Sequence, residues 1–278
     1  MDLGDTYQQV PEYCRDMSER VSTILDVIGY SQKDRDRKVM CATAFEVFET
    51  IGMNVMTIHG NVKLYQFGSR EESSTGPGLE SDWDILYVDE RLKTVTDLSD
   101  GQPGIRNFLM VHDDYTHPGY VKLQYVDILP DNTPHPVFHR QGSLVRLDSY
   151  GRSVLSNQVV RTLKDPALIV HGLALQYKNK TKELSSDNVL VIRCTQWPNE
   201  AHEWLQRRRP YAWPKLHDLQ NGLNDGCFVA AVGHPHCREP NLDWILSFSF
   251  TERRLIRSFE DTVMKVYVLL KMIRKTYI

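Results

Sequence analysis

Apolar residues first recur at helical spacing. Tyr13, Met17, Val21, Ile24 and Ile28 fall three or four apart behind Pro11, which suits a first turn, so residues 11–30 are expected to be a helix. Val39, Phe45, Phe48 and Ile51 repeat the pattern over 34–51, and Gly52 is the expected stop. The period then changes. Residues 62–67 and 82–88 read as strands, with Ile85-Leu-Tyr-Val88 the buried part of the second. Residues 105–111 and 120–129 are two more strands, joined by the turn-rich stretch 113–119. Residues 130–145, rich in Pro, His and Asn, read as loop, and 153–163 as a short helix. Val189 to Arg193 is a strand. A helix follows Trp197-Pro198 and ends near Arg208, before Pro210. Strands 228–232 and 244–250 precede a last helix over 252–276, striped with Leu255, Phe259, Val263, Val266 and Leu270. Mixed strands with flanking helices define an α+β fold. The long helices at the two ends predict two lobes with a cleft between them. The first two helices are expected to back the sheet.

Composition narrows the class. The chain has 278 residues, 41% hydrophobic and 25% charged, enough for one large domain or two lobes with a core. A net charge of −3 excludes a strongly basic nucleic-acid binder. The charge is uneven: residues 80–131 hold eleven Asp and Glu against four Lys and Arg, whereas 251–278 hold three against seven. A triphosphate would suit the space between two such regions, although charge alone fits two solvated faces better. Five scattered cysteines, Cys14, Cys41, Cys194, Cys227 and Cys237, predict a reducing, cytoplasmic setting. Met1 to Asp5 shows no signal-peptide pattern, and no apolar run approaches the roughly 20 residues of a membrane span.

The chemistry concentrates between Gly68 and Asp84. On a strand, Asp82 and Asp84 point to the same side, with Trp83 turned opposite. Paired carboxylates repel unless a hard divalent cation such as Mg²⁺ (or Mn²⁺) joins them. Gly68-Ser69, thirteen residues before Asp82, offers backbone N–H groups and a hydroxyl to a phosphate. This order predicts metal-dependent nucleotide transfer. A third acid could come from Asp127 or Asp187, both on strand-like segments, and the residues alone do not rank them. Cys227, His234, His236 and Cys237 lie close together but match no standard zinc spacing. Lys178, Lys180, Lys182 and Arg207 to Arg209 could meet nucleic-acid phosphates, though such clusters are usually solvated faces. The chain carries no nucleophile elbow, Walker loop or dinucleotide fingerprint.

Several of these segments together resemble the male-abnormal-21 (Mab-21) domain family, which includes cyclic GMP–AMP synthase and the cGAS-like receptors, within the polymerase-β-type nucleotidyltransferases. The resemblance rests on Phe67-Gly-Ser-Arg-Glu-Glu-Ser73 and Ser81-Asp-Trp-Asp-Ile-Leu86, then His171-Gly-Leu-Ala174 and Asp187-Asn-Val-Leu-Val-Ile-Arg-Cys194. Trp197-Pro198, Ala201, Trp204-Leu205, Arg207 to Arg209, Trp213-Pro214 and Trp244-Ile-Leu-Ser-Phe-Ser-Phe-Thr-Glu252 continue it. It implies a bilobal nucleotidyltransferase. Residues 1–195 would form the core with its N-terminal spine helix. Residues 196–278 would complete the core and begin a helical C-terminal lobe, which the family continues for several helices. It implies Asp82, Asp84 and Asp187 as catalytic metal ligands for Mg²⁺. Gly68, Ser69, Ser247, Ser249 and Lys271 would bind ATP or GTP. The implied product is a cyclic dinucleotide or related messenger of innate immunity. No zinc thumb follows Glu252, so double-stranded RNA is the expected activating nucleic acid, read by its A-form shape. Ile245 replaces a signature Arg. That change points to a second reading, a non-catalytic scaffold of the same fold.

Overall fold

The computed structural model describes residues 11–56, 61–76, 83–162, 169–171, 174–178, 185–209 and 213–277. Helix α1 (Glu12–Leu25) ends in a wide π-type turn, Asp26–Tyr30, where Gly29 takes φ +96°. Helix α2 (Gln32–Met56) follows and runs through Gly52, the expected stop. Tertiary bonds hold its last turns. Asn54 exchanges two 2.9 Å hydrogen bonds with Val62, and the Leu64 amide donates to the Thr50 hydroxyl. These anchors outweigh the modest cost of an interior glycine.

They also set α2 along strand β1 (Val62–Phe67). The remaining strands are β2 (Trp83–Val95), β3 (Arg106–Val111), β4 (Tyr120–Ile128), β5 (Pro134–Pro136), β6 (Val145–Leu147), β7 (Ser153–Leu155), β8 (Ile169–His171), β9 (Ala174–Lys178), β10 (Ser185–Cys194), β11 (Cys227–Ala230) and β12 (Asp243–Ser247). The helices after β10 are α3 (His202–Gln206), α4 (Leu216–Asp225), α5 (Ser249–Arg257) and α6 (Asp261–Tyr277).

Four expectations need correction. The 130–145 loop contains β5, which pairs with β4. The short helix at 153–163 begins as β7, with Val154 opposite Gln124, and only Asn157–Thr162 is helical. The helix after Trp197 is a 3-10 turn followed by α3, which stops at Gln206. Arg209 folds back there onto the Trp204 and Leu205 carbonyls, closing the helix end. The last helix is two, parted at Ser258, whose hydroxyl donates to the Leu255 carbonyl. The break shifts the phase. Leu255 is buried, but Val263, Val266 and Leu270 face outward, while Met264 and Val268 turn in against Leu25 and Tyr30.

The sheet order is β1-β2-β3-β4-β12-β11-β10-β9-β8. A further parallel pairing of β2 with β10 closes β2, β3, β4, β12, β11 and β10 into a six-strand ring. Strand β2 manages this with an irregularity. Val88 lies opposite Val191 but Lys93 opposite Arg193, so β2 carries extra residues between and its alternation changes face. One apolar cluster then fills the ring, taking Leu92, Phe108, Leu123, Trp244, Val229 and Ile192, one from each strand. A second lies outside it, where Phe67, Leu86, Val88, Val191 and Phe228 pack with Phe250 of α5. Strands β10 and β11 are therefore apolar on both faces, as a strand covered on both sides must be.

Candidate functional site

The candidate site sits on the second cluster's face, where β1 turns away from β2. Gly68 has φ +82°, and its carbonyl accepts from the Glu72 amide at 3.0 Å. The Ser74 amide donates to the Ser69 carbonyl at 2.9 Å, closing a compact turn over Gly68 to Ser74. Asp84 pairs with Phe67 across the β1–β2 ladder, and its carboxylate packs directly on Gly68. A Cβ at Gly68 would overlap Asp84 Oδ2. Glycine is thus required twice, for its backbone angle and for the carboxylate beside it.

One other expected residue joins the turn. Lys271 of α6 donates to the Ser69 hydroxyl and, at 3.0 Å, to the Ser74 hydroxyl. Burial lowers its pKa, and the nearby Glu72 opposes that shift. Burial in turn raises the pKa of Glu72, against the pull of Lys271 and its bond to Ser74, while Glu252 and Asp84 add like charge. Glu252 is also raised by burial. The turn therefore joins hydroxyls, an ammonium and a crowd of carboxylates.

On the other side of β2, the parallel register sets Asp187 of β10 opposite Asp84. Asp127 is elsewhere. It lies on β4 opposite His135 and pairs with Arg140 at 3.0 Å. Of the two candidates for a third acid, Asp187 is the one registered beside Asp84. Asp82 lies outside the described residues, as do Lys180 and Lys182. Ser247 and Ser249 bond to each other at 2.6 Å where β12 enters α5. Ile245 packs into the apolar cluster around Phe228.

The four zinc candidates separate. Cys227 is buried opposite Cys194, and its thiol donates to the Gln196 carbonyl at 3.5 Å. His234 stacks on His117 with ring centres 3.7 Å apart. Burial, with Asp243 beside it, pushes the Cys237 thiol up to about 11. Among the described residues, no three His, Cys, Asp or Glu are placed to hold a metal.

Sequence reasoning missed what fixes the turn from behind. Arg253 of α5 donates to Glu46 of α2 at 2.5 Å, to the Gln66 carbonyl at 2.8 Å and to Glu71 at 3.3 Å. Arg257 meets the same Glu71 oxygen. Burial drives the Glu71 pKa up to about 7 even between two arginines. Glu71 and Glu72 are adjacent in sequence but turn to different partners, Arg253 and Lys271. Nothing in the Glu-Glu pair could have told them apart. The Ser249-x-x-Glu252 spacing did mark the start of α5, although Phe248 is the cap and the Ser249 hydroxyl turns to Ser247.

No protein-family model matches the chain. No helix among the described residues is long and apolar enough to cross a membrane.

Proposed function

We propose that the chain is a bilobal, Mg²⁺-dependent nucleotidyltransferase of the Mab-21 and cGAS-like kind. It would draw on ATP or GTP to make a cyclic dinucleotide or related messenger in cytoplasmic innate immune signalling. The observation that carries this reading is one juxtaposition. The Asp84 carboxylate packs on Gly68, and Lys271 grips the adjoining Ser69 and Ser74. An anion cradle and a carboxylate wall meet at a single turn.

The donor triphosphate rests on Gly68 and Ser69. Two of the three N–H groups of Lys271 serve hydroxyls, which leaves one for a phosphate oxygen. Ser247 and Ser249 orient the nucleoside. Asp84 and Asp187 are neighbours in register, and with Asp82 they would supply only oxygen donors, the chemistry a hard cation takes. When bound, Mg²⁺ supplies charge neutralisation at the pyrophosphate and a lower pKa at the attacking hydroxyl. Double-stranded RNA as activator rests on the family resemblance and on the lack of a zinc thumb after Glu252.

The test is to incubate the protein with ATP, GTP, Mg²⁺ or Mn²⁺ and double-stranded RNA, and to separate the nucleotides. A new product is expected, falling about 100-fold or more in Asp84→Asn and in Asp187→Asn. Product that persists in both variants puts the chemistry elsewhere. If the protein makes none while an active family enzyme does so under the same conditions, the scaffold reading stands. The packing of Ile245 among apolar side chains favours that alternative.

A further inference from the structure

Helix α2 turns one side to the sheet and another to solvent. Glu46, Thr50 and Asn54 tie it to β1. From Met40 to Val55 none of its exposed residues is charged, and the two acids of this stretch, Glu46 and Glu49, are partly buried. Five of the exposed residues are large and apolar. Met40, Val47, Phe48, Ile51 and Val55 are between 56% and 80% exposed. Successive residues turn about 100° round a helix, so these five share one stripe about 100° wide and roughly four turns long. Among the described residues nothing covers it.

Three properties of this face fit a second copy of itself. Its area is at the upper end of the ~300–600 Å² of the largest apolar patch on a typical monomer, and two such faces in contact bury about 1,000 Å², the lower bound of a specific interface. Its shape is self-complementary. Ala44, Phe48 and Gly52, all exposed, follow one another four residues apart along a single ridge, small, large, small. When two α2 helices meet antiparallel about a two-fold axis midway between Ala44 and Phe48, each Phe48 sits over the Ala44 of the other copy. Its ends carry both signs of charge. Lys33, Asp36 and Arg37 are exposed at the start of α2, and the Lys63–Glu90 pair lies beside its end, next to the Asn54–Val62 bonds. Antiparallel packing brings the first group of each copy to the second group of the other, a charged rim round an apolar centre. A net charge of −3 sets up little repulsion between copies.

We propose that two copies of this chain associate through the Met40–Val55 face of α2, with the two helices antiparallel. The contact is isologous, so it closes at two copies and leaves no free face for a third. None of its residues belongs to the Gly68 turn.

Sedimentation velocity from about 1 to about 100 μM tests this, the range in which a small interface assembles. The expected result is a monomer that becomes a dimer across this range, with nothing larger. Phe48→Glu and Ile51→Lys are each expected to hold the chain monomeric throughout. Both side chains are exposed, so the melting temperature of the monomer is expected to stay within about 2 °C. Leu270→Glu, at an exposed apolar position of α6, is the control and is expected to dimerise like the unaltered chain. Orientation is read from Ile51→Cys under mild oxidation, by peptide mass spectrometry. The new thiol is expected to join Cys41 of the other copy, and a bond between the two copies of position 51 overturns the antiparallel arrangement. A monomer at every concentration, species that grow without limit, or a dimer that survives Phe48→Glu overturns the proposal. So does a dimer lost in Leu270→Glu. If Phe48→Glu melts abnormally, Ile51→Lys decides. No step reads nucleotide transfer, so this outcome is independent of the proposed activity.

Discussion

At Gly68 one methyl group is enough to disturb the site. Gly68→Ala forces a side chain into φ +82° and into Asp84 Oδ2. The backbone angle alone costs about 1–2 kcal/mol, and the displaced carboxylate adds to that. A melting temperature roughly 2–8 °C lower is expected, with any nucleotidyl transfer lost alongside. A normal melt would mean that the turn relaxes without harm. Glu71 gives a second test at this scale. Its pKa rises from the model-compound 4.5 to about 7 in the folded chain, so between these values the native state holds more protons than the unfolded one. Its contribution to stability is full below pH 4.5 and is lost as pH rises through 7. Glu71→Gln removes that titration. Urea melts from pH 4.5 to 7.5 are expected to show a shallower fall for the variant. Parallel curves would mean that Glu71 titrates normally.

The helices are placed less by their own patterns than by a few polar ties. Arg253 joins α5 to α2 through Glu46 and to the turn through Glu71. Arg253→Met leaves Glu46 without its cation and Glu71 with Arg257 alone, at a cost of about 3–5 kcal/mol. Adding Glu46→Gln is expected to recover part of it, measured as a double-mutant cycle in urea. Strict additivity would show that the two do not interact. The same ties explain what the sequence could reveal. Strand β1 was legible to the residue because Val62 to Phe67 is a short run rich in β-branched and aromatic side chains and is bounded by a glycine. Helix α2 and the last helix were legible as helices but not in extent. Asn54 and Thr50 carry α2 past Gly52, and the Ser258 hydroxyl interrupts the other, and both act through contacts that a periodicity cannot encode. Helix α4 went unseen. Within it, Gly222 lies against Thr251 and its carbonyl accepts from the Trp197 indole, so its place is set by neighbours distant in sequence. At the candidate site, residue types and order marked Gly68, Ser69 and Asp84. The contact of Lys271 with Ser69 and the separate partners of Glu71 and Glu72 arise only from packing.

Across the whole molecule, the ring makes β10 the strand that everything else meets, since it pairs with β2, β9 and β11. Val191 and Ile192 are fully buried on opposite faces, one in each apolar cluster. Their amides are expected to exchange hydrogen more slowly than those of β5 or β6, whose residues are partly or fully exposed. Faster exchange at Val191 than at Val145 would show that the ring opens locally. Closure also has a consequence in time. Asp84 and Asp187 stand about a hundred residues apart in the chain yet side by side in the sheet, a contact of high order that is slow to form. The β1–β2 and β3–β4 ladders are local and can assemble early. While the ribosome is still making the segment between them, one edge of β2 waits unpaired, open to the wrong strand of a neighbouring chain. The two residues become neighbours only when β10 arrives, so a partly made chain can close the Gly68 turn but lacks Asp187 in register beside Asp84.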